Sequence, residues 1–168
     1  MFTKQQLLDA MAHETEIIQH LGAKLTDEQM AYRPTEGQRT MEEFLRYLST
    51  CAFLPAVGTV NGNWDHVQDM NAEAAEVNLA NFSEAMARQQ TRCAELINGF
   101  SDEELATQDA QMPWGSPVKL GEAFVRVCLL SLTAYRMQLF LWSKESGNSD
   151  LNTFNCWVGM DPPKAQPE

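Results

Sequence analysis

The chain has 168 residues, 44% of them hydrophobic, and a formal net charge of −11. That length and apolar content suffice for one compact domain with a sizeable core. The negative charge, with no cluster of Lys or Arg to offset it, argues against nucleic acid and anionic membrane surfaces as partners.

Four cysteines, Cys51, Cys93, Cys128 and Cys156, are scattered without a Cys-x-x-Cys pair. They read as reduced small hydrophobes in a cytoplasmic protein rather than as a zinc or redox site. A Cys51–Cys128 disulfide is geometrically conceivable but not expected.

The opening residues run straight into an amphipathic pattern, so no secretory signal is expected. Leu7, Met11, Ile18 and Leu21, with Ala10 and Ile17 beside them, make one stripe, and the spacing predicts a helix over 5–21 stopped by Gly22. Glu14 falls near the middle of that stripe. Either the helix bends and lets it reach solvent, or it is a buried carboxylate that pairs with an Arg or lines a polar cavity, since an unpaired one inside is too costly. His13, Glu16 and His20 share the opposite face, which reads as solvated although the spacing is ligand-like on paper.

Thr26-Asp27-Glu28-Gln29 has the spacing of a capping box and predicts one short turn, halted by Arg33-Pro34. Thr40-Met41-Glu42-Glu43 repeats the box and opens a second helix with Phe44, Leu48, Cys51 and Leu54 inward and Tyr47 at the edge of that face. Pro55 is expected to kink or end it. Residues 61–79 read as a polar connection crossing the molecule, with His66 on its surface. A third helix is predicted over 82–97, apolar at Phe82, Met86, Cys93 and Leu96 or Ile97, with Gly99 beyond its end. Ser101-Asp102-Glu103-Glu104 is a further capping box, and Gln108 to Pro117 reads as a rigid loop.

Leu120 to Trp142 is the longest apolar segment and predicts one long buried helix ending near Gly147. Phe124, Cys128, Ser131, Leu132, Tyr135, Leu139 and Trp142 fall on one side of it; Leu130, Met137, Phe140 and Leu141 fall on another. Arg126 and Arg136 interrupt it too centrally for a membrane span to be expected. Arg136 reads as the partner of an acidic residue at a helix junction, with anion binding as the alternative. The extension over 148–168 holds Leu151, Phe154, Trp157, Val158 and Met160 and is expected to pack on the helices before residues 162–168 fray. The apolar outer side of the last helix predicts a homodimer, unless the extension covers that side instead.

Four amphipathic helices with a long connection between the second and third predict an all-α, antiparallel four-helix bundle, a single domain over 1–168. Tyr32-Arg33-Pro34, Gly37 and Thr40-Met41-Glu42-Glu43-Phe44-Leu45-Arg46-Tyr47-Leu48 resemble the second-helix signature of the DinB/YfiT-like superfamily. Tyr135-Arg136-Met137-Gln138 resembles the His-Arg-x-Gln run in its last helix. Trp114-Gly115 sits where a short loop motif of the superfamily falls, and Asn155-Cys156-Trp157-Val158-Gly159-Met160-Asp161 is similar to the ending of one branch.

The resemblance implies a metal-dependent enzyme, in some members a thiol-dependent transferase or isomerase, holding nickel or zinc with one histidine on the second helix and two spaced four apart on the last. Residues at i and i+4 stand one turn apart, which is why two imidazoles at that spacing can converge on one cation. The corresponding positions here are Tyr47, Ser131 and Tyr135. A phenol and a serine hydroxyl are poor zinc or nickel ligands beside imidazole at neutral pH, so no metal or other cofactor is expected. Tyr47, Ser131 and Tyr135 read either as a hydrogen-bonded polar remnant of the core or, with Glu14 and Arg136, as the polar end of a small-ligand pocket. The function so implied is a metal-free small-ligand-binding or interaction module. The alternative is a metal-dependent transferase or hydrolase with displaced ligands.

Overall fold

A computed structural model of the chain describes residues 3–163. Of residues 162–168, which are expected to fray, 164–168 lie outside the described residues. Helix α1 (Lys4–Gly22) packs against α5 (Phe82–Asn98) and against the last long helix. The second arm of the bundle is α2 (Met41–Leu48) followed by α3 (Phe53–Asn61). The last arm runs Leu120–Glu145 as α7 (Leu120–Phe124), a π-helical segment over Val125–Leu129, and α8 (Leu130–Glu145). Met11, Ile18, Leu21, Phe44, Leu48, Phe82, Met86, Phe124, Leu132 and Leu139 meet in one core between the four arms, so the antiparallel bundle and its crossover are as expected.

Local chemistry sets the helix starts. At Thr40 and Ser101 the hydroxyl accepts the N–H of the residue three places on, and that residue's carboxylate accepts the cap N–H at 2.7 Å in each case. Gln29 Oε1 likewise accepts the Thr26 N–H at 2.9 Å. Each bond satisfies a donor that the helix itself leaves unpaired. Gly22 is not a left-handed stop: an added Cβ would stand 2.7 Å from the Phe82 ring, so the glycine lets α1 and α5 close together.

Four segments depart from expectation. The second helix does not run through to Pro55; it breaks over 49–52 and Pro55 sits in the first turn of α3, where a missing N–H costs nothing. The break is bridged by Gln89 of α5, whose Oε1 accepts the Ala52 N–H at 2.9 Å and the Phe53 N–H at 3.3 Å, while Nε2 donates to the Leu48 carbonyl at 3.0 Å. Leu54 beyond it is therefore half-buried rather than inward. The polar connection contains a helix, α4 (Val67–Ala75), held by buried Met70 and Ala74 and by Glu73 bonded to Arg92 at 2.7 Å. With only two apolar residues facing in, its period is invisible without its neighbours.

The 108–117 loop is the start of a hairpin: after α6 (Asp102–Thr107), β1 (Asp109–Gln111) pairs antiparallel with β2 (Pro117–Lys119), Ala110 opposite Val118. In the last helix one extra residue is absorbed by the π-helical segment, where the Leu130 N–H bonds to the Val125 carbonyl. This segment lies against the α2–α3 break, and Cys128 Sγ donates to the Ala52 carbonyl. The extension forms a short helix, α9 (Thr153–Trp157), on α1 and on one side of α8. Leu151, Asn155 and Cys156 are buried there, but Phe154, Trp157, Val158 and Met160 remain exposed. The outer side of α8 that carries Leu130 and Leu141 is also exposed, so the extension does not close it.

Candidate functional site

The five residues singled out from the sequence form two separate pairs and one lone hydroxyl. Tyr47 of α2 and Tyr135 of α8 meet with their hydroxyls 2.9 Å apart and their rings edge-on, centroids 5.1 Å apart. Phe44 backs Tyr135 edge-on at 6.0 Å, and the Arg39 guanidinium lies 4.3 Å over the Tyr47 ring. Burial, then the bond to Tyr135, push the Tyr47 phenol well above its ordinary range, so it is a neutral hydrogen-bonding group at physiological pH. Ser131, one turn before Tyr135, is half-buried and its hydroxyl makes no hydrogen bond among the described residues.

Arg136 lies one position further along α8 and so faces α1 rather than α2. Its Nε stands 2.9 Å from Glu14 Oε2, with side chains 3% and 13% exposed respectively. The two atoms are off the line of a proper hydrogen bond, so the attraction is mainly coulombic. The rest of the guanidinium is taken by the extension: Nη1 donates to the Cys156 carbonyl at 2.6 Å, and the Trp157 ring covers the cation at 4.6 Å. Of the two readings of Glu14, the buried, Arg-paired carboxylate is the one observed. Arg136 is a junction residue tying α1, α8 and α9 together.

The predicted solvated face of α1 is partly covered by the same extension. His20 is half-buried and takes a hydrogen bond with Asn155 Nδ2 at 3.1 Å, while Lys24 bonds Asp161 Oδ2 at 2.6 Å. His13 Nε2 lies 3.3 Å from the Trp157 carbonyl. Burial above all lowers the His20 pKa. His66 is not a surface residue either; it stacks on Trp64 and its Nε2 donates to the Leu54 carbonyl at 2.9 Å. The contacts of His13 and His20 join chain segments far apart in sequence, and nothing in the local pattern of α1 announces them.

Among the described residues no three His, Cys, Asp or Glu side chains converge as metal ligands. The four cysteines are free and buried. Burial raises the pKa of Cys51 and Cys156, and Cys128 is raised by its contact with Cys93 and by burial, so none of these three is poised as a thiolate nucleophile. The centre of the bundle thus offers two phenols bonded to each other and an ion pair already engaged by its own chain.

Compared with solved structures, the chain has a DinB-like four-helix-bundle fold. It superposes on a DinB-like protein from Bacillus subtilis, YjoA, with a TM-score of 0.68 at 18% identity, covering 89% of this chain and 97% of that one. It is also similar to the sibling lethal factor precursor DfsB, with a TM-score of 0.64 at 16% identity over 88% of this chain and 98% of that one. No protein-family model and no curated protein sequence matches the chain. At these identities it is the fold that is shared.

Proposed function

We propose that this protein is a metal-free interaction module on a DinB-like scaffold. The observation that carries the reading is the Tyr47–Tyr135 bond: at positions where the resemblance implies histidines, two phenols satisfy each other at 2.9 Å. A small-ligand pocket there would first have to break that bond, which makes binding through the surface the better-supported half of the expectation. The test is elemental analysis of tag-free protein purified without chelator. Well under one equivalent of zinc or nickel is expected. One equivalent lost on His13→Ala or His20→Ala would instead support the enzyme with displaced ligands.

The partner we propose is a second copy. Leu130 and Leu141, 53% and 48% exposed, share one stripe of α8 with Ala134 and Met137, about 17 Å long at the rise of an α-helix. An exposed stripe of this kind marks an association surface. A two-fold antiparallel contact that sets Leu130 against Leu141 and Ala134 against Met137 also brings Arg126, which pairs with Glu122 in its own chain, towards Glu145, which accepts from Tyr32. Light scattering should give twice the mass of the chain, and Leu141→Lys should halve it. A wild-type monomer at 100 µM refutes the proposal.

A further inference from the structure

A different surface, independent of how the bundle centre is read, has the features of a peptide site. A groove of about 580 Å³ runs between the end of α3 and β1. Its wall on the α3 side is Trp64, 42% exposed, whose indole lies flat on Gly58; an added Cβ there would stand 2.7 Å from the ring. Gly62 ends α3 in the left-handed conformation, with φ of +66°, and turns the chain back so that Trp64 reaches this position.

The other wall is a strand edge. Leu120 donates to the Gln108 carbonyl and Met112 to the Ser116 carbonyl. This phase of the antiparallel ladder turns the main-chain groups of residues 108, 110 and 112 towards β2. The N–H and C=O groups of Asp109 and Gln111 therefore point the other way, to the edge that β2 leaves open. Among the described residues no backbone or side-chain group bonds to them. Both residues line the groove. An open edge of this kind is a template for another strand.

Thr59 supplies a second, separate signal. It lines the groove, is only 8% exposed, and its Oγ1 is buried without a hydrogen-bond partner. A buried unpaired hydroxyl is rare enough in native structures to require a reason. An occupant that brings its own main-chain polar groups gives one.

We propose that this groove binds an extended segment of a partner polypeptide, which adds to β1 as a third strand and lays an apolar side chain against Trp64. Its chemistry follows from the walls. Two N–H and two C=O groups in register call for a peptide backbone, as in strand addition. No Lys or Arg lines the groove, its one charged residue, Asp109, is held by Lys119 at 2.6 Å, and the chain as a whole carries −11. An uncharged or basic segment is favoured over an acidic one.

The probe is a capped heptapeptide, Lys-Thr-Val-Thr-Val-Thr-Lys, titrated into the full chain while amide and indole resonances are followed by NMR. The amides of Asp109 and Gln111 and the Trp64 indole should shift together. The same peptide with alternate nitrogens methylated should bind at least about tenfold more weakly, because it cannot donate to the edge. A version with Glu at both ends should also bind more weakly, by a margin that closes as salt is added. Gln111→Pro removes an outward N–H without breaking the hairpin and should weaken binding by about tenfold. Thr59→Val should weaken it severalfold while leaving the thermal midpoint equal or higher.

Several results overturn the proposal: no shift at millimolar peptide, shifts mapping elsewhere, equal binding of the methylated peptide, or unchanged affinity in either variant. So does a concentration-dependent shift of the same amides without peptide, which would make the occupant a second copy.

Discussion

Replacing Arg136 by Met keeps the length and the apolar contacts of the side chain but leaves the Glu14 carboxylate without its cation. The carboxylate is 13% exposed and the guanidinium 3%, so this is a buried pair, and removing one member of such a pair costs about 3–5 kcal/mol. Against a total stability of about 5–15 kcal/mol for a domain, that is a large fraction. For a chain of this size it corresponds to a fall in thermal midpoint of roughly 6–20 °C. Glu14→Leu should destabilise by a comparable amount for the mirror reason. The double variant Glu14→Leu/Arg136→Met removes both charges and should recover most of the loss, to within about 1 kcal/mol of wild type.

Urea denaturation of the four proteins measures the cycle. Limited proteolysis adds a second readout: Arg136 also holds the Cys156 carbonyl and the Trp157 ring, so cleavage near residues 152–161 should accelerate in both variants that lack Arg136, including the stable double one. Single variants within about 1 kcal/mol of wild type, or strictly additive losses, would contradict the pairing of Glu14 with Arg136.

Because all four thiols are buried, native protein should react with none of them when challenged with a chromogenic disulfide, and with four once unfolded; a fast native thiol would contradict the packing of α2, α5 and the last helix. In an alkaline absorbance titration, Tyr32, pushed up to about 12 by burial and by its bond to Glu145, and Tyr47, pushed higher still, should stay protonated past pH 10. In a Tyr32→Phe variant, two phenolates formed at pH 10 in the folded state would be inconsistent with the Tyr47–Tyr135 contact.

Acid should destabilise the fold in two stages. His20 is lowered from 6.5 chiefly by burial, so its contribution is complete above pH 6.5 and is lost as pH falls through its folded value. Glu43 and Glu104, lowered from 4.5 by the N–H groups they cap, contribute fully above pH 4.5 and lose their effect as pH falls below it. The urea midpoint should track both stages, with His20→Gln abolishing the first.

How much of this was legible in the sequence depended on how local each cause is. The capping boxes at Thr40 and Ser101 act over three residues, and the helix starts followed from them directly. The stripe through Met11, Ile18 and Leu21 needs only the helical period. Gln89, by contrast, sits in an otherwise ordinary helix, and its role in bridging the α2–α3 break depends on a segment 37 residues away. The π-helical segment leaves no mark on the apolar pattern of Val125–Leu129, because four of those five residues are hydrophobic and one added residue does not break the run. Strands of three residues are too short for alternation to show, so the hairpin, and with it the groove edge, was hidden inside a Pro- and Gly-containing loop. Glu14 was recognisable as anomalous on its helix wheel, but only the fold names Arg136 as its partner. Tyr47 and Tyr135 could be paired only through the resemblance, since 88 residues separate them.

Tyr47, Ser131 and Tyr135 stand where the resemblance implies metal-binding histidines, and histidine can be written into all three positions. Calorimetric titration with zinc should show no stoichiometric binding to the wild-type protein and one tight site in the Tyr47→His/Ser131→His/Tyr135→His variant. A wild-type chain that takes up one equivalent of zinc as tightly as that variant would contradict the metal-free reading.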